Sequence, residues 1–190
     1  MVPLDLDSLL AALAAGACFG YRFFWGHRPR PDGQPSDSVF SQWWACRFEV
    51  DGQTYTSAEQ FMMAGKARLF GDAETLAQIL AAADPSRCKA LGRKVRGVVE
   101  ERWAAARFDL VTRGNLAKFE QHPRRRAWLL ATGEDLLVEA SPMDRVWGIG
   151  LARTDERAQD PRQWQGQNLL GFALVRTRAI LRQALPPPGA

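Results

Sequence analysis

The stretch Tyr55-Thr56-Ser57-Ala58-Glu59-Gln60-Phe61-Met62-Met63-Ala64-Gly65-Lys66-Ala67 decides how the chain is read. It passes from strand to helix within three residues. Thr56 with Glu59 and Ser57 with Gln60 form two overlapping capping boxes, each pairing a hydroxyl with an acid or amide three residues on. Phe61, Met62, Ala64, Ala67 and Leu69 then supply an apolar side. Upstream, Cys46 to Thr56 reads as a hairpin, with Phe48, Val50 and Tyr55 as strand formers and Asp51-Gly52 as the two-residue turn. Downstream, Gly71-Asp72 stops the helix and caps the next, Ala73 to Ala83, which Asp84-Pro85 breaks.

Further out the pattern stays mostly helical. Arg87 to Arg96 is a basic run without an acid; it reads as a solvated helix face or as a phosphate contact, and so does Arg124-Arg125-Arg126. Helical spacing resumes from Val98 to Glu120, with Trp103, Leu110, Leu116 and Phe119 inward. Pro123 opens a helix that Gly133 ends. Leu136 to Ala140 is a short strand, Ser141 to Gly150 a glycine-rich loop, and Asn168 to Leu185 the last helix, which Asn168 can cap. Ahead of the hairpin, His27 to Ser38 is rich in Pro, Gly, Asp and Ser and reads as loop. The apolar run Leu9 to Gly20 is too short to span a bilayer and follows acidic Asp5 and Asp7, so it reads as an N-terminal helix capped by Asp7 or Ser8. Helices outnumber strands, and the strands do not alternate with helices as parallel-sheet units do. The expectation is a predominantly helical α+β fold in one compact domain over 21–185, with a helical extension over 1–20 and a tail over 186–190.

The 190 residues are 46% hydrophobic and 24% charged, which excludes a largely disordered chain. A net charge of +4 favours anionic partners but is far from that of a DNA-coating protein. Three scattered cysteines and two distant histidines give neither a disulfide scaffold nor a zinc site. No metal, no cofactor, no membrane association and a reduced, cytoplasmic setting are expected.

Three clusters are candidates for chemistry. Trp25, Gly26, His27 and Arg28, after Phe24, suit a ligand wall with a stacking ring and a phosphate-binding cation, or equally the end of a strand packing its aromatics. Glu59 and Lys66 are two helical turns apart, about 10 Å along one face. Glu59 is either an acid–base carboxylate or a capping residue, and Lys66 either a desolvated amine or a solvated one. Glu139 and Asp144 stand before Trp147-Gly148-Ile149-Gly150, a loop where backbone can approach a ligand or where Asp144 bonds its own turn. No phosphate loop, dinucleotide fingerprint or Ser-His-Asp order is present.

Together these segments resemble the NADAR family, also called YbiA-like. The resemblance runs from about Tyr21 to Arg182 and includes Lys89-Ala90-Leu91-Gly92-Arg93, Trp103, Lys118-Phe119, Leu137-Val138-Glu139-Ala140-Ser141 and Trp164-Gln165-Gly166-Gln167-Asn168. It implies a metal-free, mainly helical N-glycosidase that cleaves a bond between a ribose anomeric carbon and nitrogen. The substrates it implies are ADP-ribose on guanine in nucleic acid or nucleotides, or phosphorylated intermediates of riboflavin biosynthesis; a non-catalytic ADP-ribose-binding module is the alternative. It assigns Glu59, Trp103 and Asp144 to the site, makes Lys66 the amine that attacks the anomeric carbon, and gives Arg28 and Trp147 to phosphate binding and stacking. Trp25, Gly26, His27, Gly148 and Asn168 complete the expected substrate contacts. A toxin–antitoxin or NAD-linked partner is left open. The first thirteen or so residues and the loop Pro29 to Asp37 depart from the family pattern.

Overall fold

The computed structural model describes residues 2–28 and 36–184. Helix α1 (Leu6–Ala14) is capped by Asp5, whose carboxylate accepts from the Ser8 amide at 2.7 Å while the Ser8 hydroxyl closes the box. That reciprocal pair starts the helix earlier than the expected cap at Asp7 or Ser8. It buries Leu9 completely, and α1 packs on a 3-10 turn, Pro161–Gln163.

Strand β1 (Tyr21–Phe24) pairs in parallel with β4 (Leu136–Glu139), from Tyr21 opposite Leu136 to Phe24 opposite Glu139. This corrects the expectation, from sequence, of no parallel pair. Each strand has four residues, and most of the chain separates them, so no local alternation announces the pairing. The run Leu136-Leu137-Val138 is buried throughout, as in a parallel strand covered on both faces. Strands β2 (Phe48–Val50) and β3 (Gln53–Tyr55) form the expected hairpin. Asp51 and Gly52 both take positive φ, 52° and 74°, as a type I′ turn requires. The outer edge of β2 is closed by Gln121, whose amide exchanges two 2.8 Å hydrogen bonds with the backbone of Glu49.

Helix α2 (Ala58–Leu69) lies at the centre, packed against α3 (Ala73–Ala81), α4 (Pro85–Gly92) and α5 (Glu100–Glu120). Its N-terminus resolves the overlapping boxes. Ser57 caps the Gln60 amide, and the Gln60 side chain returns to the Thr56 amide at 2.7 Å. Gln60 also donates to the carbonyls of Ile79, Leu80 and Ala82, fastening α2 to the end of α3. The basic run is not one solvated face: α4 and the turn after it divide it. Lys89 points toward the interior cavities described below, and Arg96 clamps Asp72, whose carboxyl is held well below the usual range by that guanidinium.

Helix α6 (Pro123–Leu130) and helix α7 (Leu169–Gln183) complete the domain, α7 lying against α5 and β4. The architecture is therefore α+β and predominantly helical, with seven α-helices among the described residues. Of the predicted loop 27–38, residues 29–35 lie outside the described residues, and Asp37–Phe40 forms a 3-10 turn. The expected tail 186–190 and Leu185 also lie outside them. The segment after that turn is held from below by Lys118, fully buried on α5, whose ammonium donates to the Ser41 carbonyl at 2.9 Å.

Candidate active site

Two cavities adjoin at Lys89. The larger, about 650 Å³, opens at the carboxyl ends of β1 and β4, the place where parallel strands commonly present ligands. Trp25, Gly26, His27 and Arg28 follow β1 on one wall; Glu139, Ser141, Met143 and Asp144 follow β4 on the other. Trp43 and Lys89 close the inner side, the Lys89 ammonium 5.8 Å from the Trp43 ring centre. The smaller cavity, about 110 Å³, is lined by Glu59, Lys66, Trp103 and Trp147, again with Lys89. Thus Glu59, Lys66 and Trp103 share one cavity and Asp144 lines its neighbour.

Asp144 makes the turn considered for it and also reaches a cation. Its Oδ1 accepts from the Val146 and Trp147 amides at 2.9 and 2.8 Å, making the turn, while Oδ2 lies 3.6 Å from the Lys89 ammonium. The loop folds tightly enough that a Cβ on Gly148 would stand 2.8 Å from the Glu139 carbonyl and 3.0 Å from that of Asp144. Gly148 therefore packs the loop and lines neither cavity. Residues 165–170 lace onto 145–149 through backbone bonds such as Gln167 to Arg145 and Asn168 to Gly148. Asn168 sits at φ 53° with no side-chain bond to its own helix, unlike the expected cap. Its amide instead donates to the Leu137 carbonyl at 2.9 Å and accepts from the Glu139 amide at 3.0 Å. With no exposed surface, it braces β4 from the side that lacks a strand.

Burial dominates the electrostatics. Glu59 is 3% exposed, and its Oε1 finds no hydrogen-bond partner among the described residues. Burial, with Asp144 adding to it, raises the carboxyl to about 7 against the pull of Lys89, Trp43 and Arg93. The capping reading of Glu59 does not hold, because Gln60 takes that place. Glu139 is pushed up to about 8, first by burial and then by Asp144, with Lys89 opposing. Lys66 is lowered by burial, with Glu100 opposing, and its ammonium lies 5.4 Å from the Trp103 ring centre. Among the described residues no group of three His, Cys, Asp or Glu is placed to hold a metal, and no helix is long and apolar enough to cross a membrane.

Sequence reasoning left Lys89 and Trp43 out of the site and named Glu139 as a candidate beside Asp144 without giving it a role. Lys89 was hidden in a basic run. The charged end of an otherwise apolar strand, Leu136-Leu137-Val138-Glu139, was the signal for Glu139, since such a carboxylate must be buried with its strand.

The family model of the NADAR domain matches residues 23–182. N-glycosidase R617 of Acanthamoeba polyphaga mimivirus is 40% identical over 163 residues, covering 83% of this chain and 94% of that protein. N-glycosidase YbiA of Escherichia coli K12 is 30% identical over 142 residues, 75% of this chain and 80% of YbiA. The NMR structure of E. coli YbiA superposes with a TM-score of 0.68 at 25% identity, covering 90% of this chain and 92% of that one.

Proposed function

The chain belongs to the NADAR domain family, and on that premise we propose that it is an N-glycosidase that removes ADP-ribose from guanine in nucleic acid or nucleotides. The observation that carries the reading is the convergence of two carboxyls, each with a buried oxygen lacking a partner among the described residues, a cation-paired carboxylate and a partly buried amine on adjoining cavities. Breaking a ribosyl C–N bond builds positive charge on the sugar. Glu59, buried, and Asp144, partly exposed, supply negative charge against it. Trp103 gives the apolar wall that keeps the neighbouring carboxyl's pKa high. Lys66 is the nucleophile toward the anomeric carbon, since partial burial favours its neutral amine. Arg28 is the cation for a pyrophosphate, His27 lines the same wall, and Trp25, 64% exposed, offers a stacking face.

Incubation with ADP-ribosylated guanosine, beside a phosphorylated riboflavin intermediate, tests the reading. Free ADP-ribose from the first is the expected product. Cleavage of the second alone would move the substrate to the riboflavin intermediates, and tight ADP-ribose binding with no cleavage of either would leave a binding module. Turnover should persist in EDTA; loss restored by Mg²⁺ or Zn²⁺ would contradict the metal-free chemistry.

A further inference from the structure

Taking the chain as an N-glycosidase, we propose that Glu139 is the general acid of the reaction, giving its carboxyl proton to the leaving nitrogen as the ribosyl C–N bond breaks. An exocyclic or ring nitrogen of a base leaves poorly as an anion, so the reaction needs a neutral acid in contact with the aglycone. Three carboxyls lie near the site, and their surroundings separate them. Asp144 is already engaged: its Oδ1 accepts from two backbone amides and its Oδ2 lies 3.6 Å from the Lys89 ammonium. Glu59 lies on the smaller cavity beside Lys66. That space is about 110 Å³ against about 650 Å³ for the larger cavity, so the base is assigned to the larger one, which Glu139 lines.

Glu139 is partly buried at the end of β4, with one carboxyl oxygen withdrawn from solvent. Its Oε2 is out of solvent and has no hydrogen-bond partner among the described residues. Burial and the neighbouring Asp144 hold its proton up to about pH 8. Its backbone is fixed on three sides: the amide by Asn168, and the carbonyl by the Ser141 and Ile149 amides, each at 2.9 Å. The acid is thus mounted on a rigid strand end facing the wall formed by Trp25 and Arg28. In the step, the C1′–N electron pair leaves with the nitrogen, which takes the Glu139 proton. When water is the nucleophile, its oxygen bonds to C1′ and its proton goes to Asp144. Transfer of that proton to Glu139 restores both groups.

The test compares Glu139→Gln with the unaltered protein on two compounds: ADP-ribosylated guanosine, and 4-nitrophenyl ADP-riboside, whose phenolate leaves without a proton. The expected result is a loss of about 10²–10⁴-fold on the first and less than about tenfold on the second. The fall in rate above about pH 8 should vanish with the first compound. Equal losses on both compounds, or none on either, would overturn the acid role. Should the glutamine variant fail to fold, Glu139→Asp carries the test: it keeps a proton to give, so it should retain the alkaline fall, and a flat profile would overturn the assignment. An unaltered protein inert on both compounds would sink the glycosidase reading itself, whatever the variants do.

Discussion

At the scale of single residues, Glu59 shows how a capping position can be freed for chemistry. Its α2 cap is supplied by Ser57 and Gln60, so Glu59→Gln removes no structural bond and relieves the cost of ionising a buried acid. The variant should melt at or above the original temperature at pH 8 while turnover per folded molecule falls about 10²–10⁴-fold; a sharp drop in melting temperature with activity retained would return Glu59 to a structural role. Lys66 permits a different check. A solvated lysine, pKa about 10.4, is almost wholly charged at neutral pH, whereas burial beside Trp103 lowers this one. Borohydride added during turnover should leave the ribosyl fragment on Lys66, read by mass spectrometry, and Lys66→Arg should abolish both trapping and turnover. Near-normal turnover by Lys66→Arg would shift the attack to water. Glu59 and Lys66 stood out through the family resemblance, and Asp144 and Glu139 as carboxylates beside a glycine-rich loop. Lys89 did not stand out, because its meaning comes from neighbours brought in by other elements: it faces Asp144 and pulls on Glu59 and Glu139.

At the scale of elements, what was legible followed the reach of the signal. The hairpin and the helix starts at Ser57 and Asp72 are written in two to four residues each, and they appear where expected; Asp84-Pro85, read only as a break, also caps the next helix. The β1–β4 pair is written across most of the chain, and the side-chain brace on β4 comes from a third segment. That brace makes a prediction about Asn168. Asn168→Ala leaves the Leu137 carbonyl and the Glu139 amide unpaired in the interior, each worth about 1–3 kcal/mol, and puts alanine at a positive φ it tolerates poorly. Urea melts should show a loss of at least about 1–3 kcal/mol, and activity per folded molecule should fall as Glu139 loses its support. An unchanged melt would mean that water or the backbone replaces the brace.

At the scale of the whole molecule, the buried ionisable groups shape stability against pH. Glu59 and Glu139 rise from an ordinary 4.5 to about 7 and about 8. Acids with raised folded values bind protons more tightly in the folded state, so their contribution is intact below about 4.5 and is lost as pH climbs through 7 and 8. A tenfold change in proton affinity is worth about 1.4 kcal/mol, so the decline across that window is on the order of a few kcal/mol. Lys118 acts in the opposite sense. Its value falls from 10.5 to about 8 by burial, so its contribution is present above 10.5 and lost as pH falls toward 8. Asp72 and Asp5, held below the ordinary 3.8 by their hydrogen bonds, lose theirs only in stronger acid. Together these groups place maximum stability between about pH 4 and 5 and a decline toward 8; above that the gain from Lys118 is offset by Cys88, which burial pushes up from 9.0 to about 11 and whose contribution is lost as pH climbs. Denaturation midpoints at about pH 5, 6.5, 8 and 9.5 check the curve, and Glu139→Gln should flatten its descending part; a maximum at about pH 8 would refute it. Between about pH 7 and 8, on the descending limb, Glu59 is ionised while Glu139 keeps its proton. The protonation state that the chemistry requires therefore costs the fold the stability tied to Glu59 and keeps the stability tied to Glu139.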